Sequence, residues 1–138
     1  MLHTLVSLTL IAFSNSGELY ISTFSIAAMD TLTGEYGVAV ASKVLDVGYI
    51  VPWGEPGTGA VATQAQTNAM FGPQGLQLLR SGMGAQAVVD SLISADTSGG
   101  VRQLGVVDSR GGSASFTGSE TMEWAGSLTG PAYAIQGN

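Results

Sequence analysis

The sequence has no cysteine, one histidine and only four basic residues among 138. Without cysteine there is no disulfide, no thiolate metal site and no cysteine nucleophile, and the redox compartment stays undecided. The one histidine is His3. If the segment ahead of Thr23 is removed, no imidazole remains, which excludes a Ser-His-Asp triad, a His-ligated zinc and a histidine general base. Lys43, Arg80, Arg102 and Arg110 stand singly in a chain of formal charge −6. No basic patch can neutralise a row of phosphates, so nucleic-acid binding is not expected. Long apolar runs are also missing. The nine residues Leu5–Phe13 fall short of the about 20 that a membrane-spanning helix needs, so no stable membrane span is expected.

What is present suits one folded domain. Hydrophobic residues make up 45% and charged residues 10%, which argues against disorder. The 20 glycines suit tight turns between short strands and follow no collagen-like period. Residues 1–22 read as a leader. Leu5–Phe13 fits the apolar core of a secretory signal, with small residues near Ser14 where a peptidase could cut, although no Lys or Arg precedes it. A buried strand, or an extension from a misassigned start, fits equally. The protein is exported on the first reading and cytoplasmic otherwise.

From Thr23 onward the pattern is that of alternating strands and two helices. Thr23–Met29 and Tyr36–Ser42 read as a hairpin closed by the turn cluster Asp30–Glu35. Asp46–Gly59 is punctuated by Gly and Pro and reads as loop, and Gly59–Gln64 reads as a strand of small residues. Helices are expected over Pro73–Arg80 and Gly84–Ala95. Strands are expected over Gln103–Asp108 and Ser113–Thr117, with a further one starting at Ala132. This order fits helices packed on sheet, in a layered α+β or αββα architecture. The chain stops at Asn138 without a terminating element, as a domain truncated at its C-terminus would.

With no cysteine and no usable histidine, hydroxyls are the candidate nucleophiles, and Lys43, a carboxylate or a free α-amine the candidate bases. An α-amine titrates near pH 7.7–8.0, so a Thr or Ser made first by processing carries its own base. Thr23 opens the first strong strand. Lys43 follows the second and is the only lysine, a cation suited to tuning a nearby hydroxyl and amine. Gln64, Gln66 and Asn68, or backbone N–H groups near Gly57–Gly59, are candidates to hold an oxyanion or a substrate amide. Trp53 and Trp124 are expected in the core or at contacts of a homo-oligomer, Asp108 as a turn cap, and Glu120 with Glu123 as no metal site.

The runs Thr23-Phe24-Ser25-Ile26, Gly37–Lys43, Val51-Pro52-Trp53, Gly59–Ala65, Asn68 with Phe71-Gly72-Pro73, Arg102–Asp108, Trp124-Ala125-Gly126 and Tyr133–Asn138 together resemble the domain of unknown function 1028 family. That family is similar to the N-terminal-nucleophile (Ntn) hydrolases. The resemblance implies a four-layer αββα sandwich, incomplete here at the C-terminus, and a nucleophile at Thr23 attacking the amide bond of a small molecule or peptide. It places Lys43 where a lysine follows the second strand and implies no cofactor. Ser22 stands where self-cleaving members have glycine, and Glu18–Ser22 is able to extend the first strand. A non-catalytic binding or assembly module on the same fold is the competing reading.

Overall fold

The computed structural model describes residues 22–138. The leader expected over 1–22 therefore lies, Ser22 apart, outside the described residues. So does the question whether Glu18–Ile21 extend a strand.

Thr23–Met29 (β1) and Tyr36–Ser42 (β2) form the expected antiparallel hairpin, with Met29 opposite Tyr36 and Thr23 opposite Ser42. Its turn is built by Asp30, whose Oδ1 accepts the N–H groups of Leu32 at 2.7 Å and Thr33 at 3.2 Å. There follow strands β3 (Pro52–Glu55) and β4 (Gly59–Ala65), helices α1 (Phe71–Arg80) and α2 (Ala85–Ser94), and strands β5 (Arg102–Asp108), β6 (Ser113–Thr117), β7 (Gly126–Gly130) and β8 (Tyr133–Gly137). Helix α1 starts ahead of Pro73, which sits in the first turn where a missing N–H breaks no helical bond. Two strands go beyond the sequence expectations. Both are edge strands: β3 opens on a proline, and β7 carries Gly126, Ser127 and Gly130. An edge tolerates the missing N–H and the weak propensity that would disqualify a central strand.

The strands make two four-stranded antiparallel sheets, ordered β2-β1-β8-β7 and β3-β4-β5-β6. Helices α1 and α2 cover the outer face of the second sheet. Leu76, Leu79, Val88, Val89 and Leu92 from the helices meet Val61, Leu104 and Val106 from β4 and β5. Each such side chain fully removed from water contributes about 1.5–3 kcal/mol. The chain is thus α+β, with layers in the order α, β, β. The outer face of the first sheet carries Phe24, Leu128 and the nearby Trp124, which are 49%, 60% and 65% exposed. Trp53, by contrast, packs against the helix-facing core.

The interface between the sheets changes character along its length. At one end Ala27, Ala60, Ala62, Val107 and Ala134 pack as an apolar core. At the other end the same inward-facing rows continue as Thr23 and Ser25 on β1, Gln64 on β4, Gln103 on β5, and Gln136 with Asn138 on and after β8. All six are buried. Their strands alternate in step, so four central strands turn polar at one end of the sandwich together.

Candidate functional site

A cleft of about 880 Å³ opens at this polar end. Its floor is Thr23, Gln64 and Asn138, and its walls include Val44, Val47, Ile50, Val51, Val101 and Met122. Ala65, the last residue of β4, takes the left-handed conformation with φ 66° and turns the chain so that Gln66 and Thr67 also line the cleft. A non-glycine residue held there stores about 1 kcal/mol or more of backbone strain, a kind of strain that clusters at functional sites.

Thr23 is held on every polar atom. Its N–H reaches both the main-chain O of Asn138 at 3.1 Å and Asn138 Oδ1 at 3.2 Å. Its carbonyl accepts the N–H of Asn138 at 3.0 Å and Nε2 of Gln64 at 3.1 Å. Its Oγ1 lies 2.9 Å from Ser42 Oγ, a consequence of the hairpin register that sets the two residues opposite each other. Ser42 Oγ also accepts the N–H of Val44 at 3.0 Å, which leaves its own proton free to turn toward Thr23.

Behind this clamp stands Gln103, which is wholly buried. Its Nε2 faces the carbonyls of Gly126 and Gly137, both at 2.9 Å, and Thr117 Oγ1 at 3.0 Å. Carbonyls only accept, so the amide nitrogen must lie on that side. Gln103 Oε1 therefore faces forward and accepts from Gln64 Nε2 at 2.7 Å and Asn138 Nδ2 at 3.2 Å. That choice in turn aims Asn138 Oδ1 at the Thr23 nitrogen and Gln64 Nε2 at the Thr23 carbonyl. One glutamine thus sets the orientation of both amides that grip Thr23. Gln64 Oε1 is left buried without a partner.

The other residues singled out from sequence fall differently. Lys43 is exposed and is not part of the cleft lining; its backbone N–H donates to the Ser22 carbonyl at 3.2 Å. The side chain that meets Thr23 from β2 is that of the preceding residue, Ser42, because side chains alternate across a strand. Asn68 is occupied elsewhere. Its Oδ1 accepts the Met70 N–H at 3.1 Å, and its carbonyl accepts Thr63 Oγ1. Gly59 lies at the far end of β4 from Gln64, about 17 Å along the strand, opposite Asp108. Neither Asn68 nor Gly59 is among the residues that line the cleft with Thr23. Gln64 is beside Thr23, but both hydrogens of its amide are committed to Thr23 and Gln103.

Asp108 is a turn cap, as expected, and more. Its Oδ1 accepts from Arg110 and Gly112 at 2.9 Å each, while its Oδ2 accepts the Ala85 N–H at 3.0 Å and so caps the start of α2. Burial pushes its carboxyl up, but these three N–H groups and the Arg110 charge outweigh burial and hold it below the usual carboxylate range. Arg102 and Asp96 pair at 2.7 Å behind the cleft wall, where Arg102 also donates to the Gln66 carbonyl. The Arg102 hydrogen bond comes first among the causes that hold the Asp96 carboxyl low.

Sequence reading did not name Ser42, Gln103, Gln136 or Asn138 as site residues. The signal for Ser42 was present, since counting back from the closing pair Met29 and Tyr36 places it opposite Thr23.

No helix among the described residues is long and apolar enough to cross a membrane. No curated protein matches the chain. Among solved structures it is similar to a crystal structure of a DUF1028 protein from Silicibacter pomeroyi. The two are 38% identical with a TM-score of 0.81, over 85% of this chain and 52% of that one. The chain thus spans about half the length of that protein. Residues 23–138 match the family described as "Family of unknown function (DUF1028)". With a match over that much of its length, the chain belongs to the DUF1028 family.

Proposed function

We propose that this protein is an Ntn-type hydrolase of an amide or related C–N bond, with Thr23 as nucleophile. The observation that carries the reading is the setting of Thr23. It is the first residue of β1, on the floor of a cleft, with its nitrogen facing two oxygens of Asn138 and its Oγ1 on Ser42. A neutral amine has two N–H donors and one lone pair. If the Ser22–Thr23 bond is cut, Asn138 O and Oδ1 are acceptors for both donors, and the lone pair is left to take a proton.

In that reading the Thr23 amine removes the Oγ1 proton as Oγ1 bonds to the substrate carbonyl carbon. The proton passes to the leaving nitrogen as the C–N bond breaks, leaving an ester on Thr23. Water, deprotonated by the same amine, then cleaves the ester and restores Oγ1–H. Ser42 orients the hydroxyl. Asn138 and Gln64 orient the main chain through Gln103. Lys43 acts as a charge from outside the cleft lining. The layer order α, β, β supports reading the fold as the αββα sandwich, whose fourth layer would cover the sheet face bearing Phe24 and Leu128.

Intact-mass and N-terminal analysis of the native protein is the test. The mature chain is expected to begin at Thr23, and Thr23→Ala is expected to abolish amide turnover while the folded circular dichroism spectrum is kept. Full activity in a chain beginning upstream of Thr23 would sink the proposal. The second reading, a non-catalytic binding or assembly module, is favoured by Ser22 in place of glycine, and uncleaved mass without turnover would establish it.

A further inference from the structure

The chemistry of the cleft narrows what it admits, on the reading that substrate reaches Thr23 through it. Its walls are apolar, built from Val44, Val47, Ile50, Val51, Val101 and Met122. Among the described residues that line it there is no Lys or Arg, and the one ionisable side chain is Glu120; the amine freed by processing at Thr23 would lie at the floor, facing two oxygens of Asn138. The two cations nearest in sequence to the lining are accounted for. Lys43 is exposed and outside the lining, and Arg102 is paired with Asp96 at 2.7 Å. Of the two buried polar atoms without a partner, Gln64 Oε1 and Gln136 Nε2, only the first belongs to a residue of the lining, and that residue is 1% exposed. The one charged side chain of the lining is thus an anion, and the formal charge of −6 adds a long-range field of the same sign.

We infer that the cleft selects uncharged or cationic amides with an apolar body and rejects acidic ones. An anionic group at the rim would meet the Glu120 carboxylate and no cationic side chain of the lining. A cationic group keeps its water at the rim and gains the attraction of Glu120. Because Glu120 is exposed, that attraction is modest, on the order of fivefold in affinity. The anion loses by a comparable factor through repulsion, so the two ends of a matched series should differ by about tenfold or more.

The test measures binding rather than turnover, on the full-length Thr23→Ala protein, by titration calorimetry or ligand-observed NMR. Three probes share one amide and one chain length and differ only at the far end: hexanamide, 6-aminohexanamide and the monoamide of adipic acid. The expected order is 6-aminohexanamide first, hexanamide next and the adipic monoamide last. The gap between first and last should close as salt is raised. Glu120→Gln, a change at an exposed position, should bring 6-aminohexanamide down to hexanamide. Equal binding of all three, tighter binding of the adipic monoamide, or no binding by any of them overturns the inference. Failure here is separable from failure of the hydrolase reading. The binding order does not depend on cleavage at Ser22–Thr23, and N-terminal processing with Thr23-dependent turnover does not depend on the binding order.

Discussion

Replacing Gln103 by leucine tests whether the buried amides are a cooperative clamp or only polar residues that happen to be buried. Leucine is close in volume, so packing changes little. The hydrogen bonds of one whole amide disappear: two accepted, from Gln64 and Asn138, and two amide hydrogens shared among the oxygens of Thr117, Gly126 and Gly137. Gln64 Nε2 keeps Thr23 O, but the Asn138 amide nitrogen loses the acceptor that fixes it. Each buried group left unmatched costs about 1–3 kcal/mol. Counting Asn138 as fully orphaned and the two glycine carbonyls as partly so gives about 3–5 kcal/mol, and the extra apolar burial offsets about 1 kcal/mol of it. A net loss of about 3 kcal/mol is a large share of the 5–15 kcal/mol typical of a domain. For a urea m-value near 2 kcal/mol/M the midpoint should fall by about 1.5 M with m unchanged. Thr117→Val, which removes one acceptor of the same glutamine, should cost only about 1 kcal/mol. If urea unfolding gives Gln103→Leu a midpoint within about 0.5 M of the parent, the clamp contributes little and the reasoning is wrong.

Other changes probe the frame around it. Ser42→Ala removes the hydroxyl 2.9 Å from Thr23 Oγ1 and should lower kcat about tenfold with the fold kept, measured on any amide the parent turns over; an unchanged kcat would remove Ser42 from the site. Asp108 has a folded pKa below its unfolded value, so its contribution is present above about pH 4 and is lost as pH falls through the depressed folded value. Asp108→Asn should therefore lower stability at pH 7 and flatten the acid limb of a Tm-against-pH curve; an unaltered limb would contradict this. Gly59→Ala would put a Cβ 2.4 Å from the Val107 carbonyl oxygen at φ 154°, and should cost about 2–4 kcal/mol in chemical unfolding, far from Thr23 as it is.

Much of the frame is legible in the residues. Period-two alternation with a turn cluster gave the β1–β2 hairpin to its end residues, because a half-buried strand must present one apolar row. The helices follow from apolar spacing with Pro73 near one start and Gly82 between them. The strands β3 and β7 escaped because Pro52, Gly54, Gly126 and Gly130 weaken the local signal, and only pairing with β4 and β8 makes strands of them. Within the site, Thr23 and Gln64 were singled out from sequence and do meet. Lys43 was singled out for its charge and its place after β2, but a one-residue step along the chain turns a side chain to the other face, and Ser42 holds the inward position.

The sequence by itself determined what chemistry this protein lacks. These 138 residues hold no thiol, no imidazole beyond His3 and only four basic residues, standing singly, which is why a hydroxyl was the candidate nucleophile among them. It also determined which face each strand residue occupies, since that depends only on odd or even position. Only the tertiary structure decided which inward polar residues meet. Gln64 and Gln103 come from separate strands and Asn138 from the end of a third, and they surround Thr23 because two sheets stack with their polar ends in step. Alternation assigns a side chain to a face, but register and stacking choose its partners, and those are properties of the whole fold.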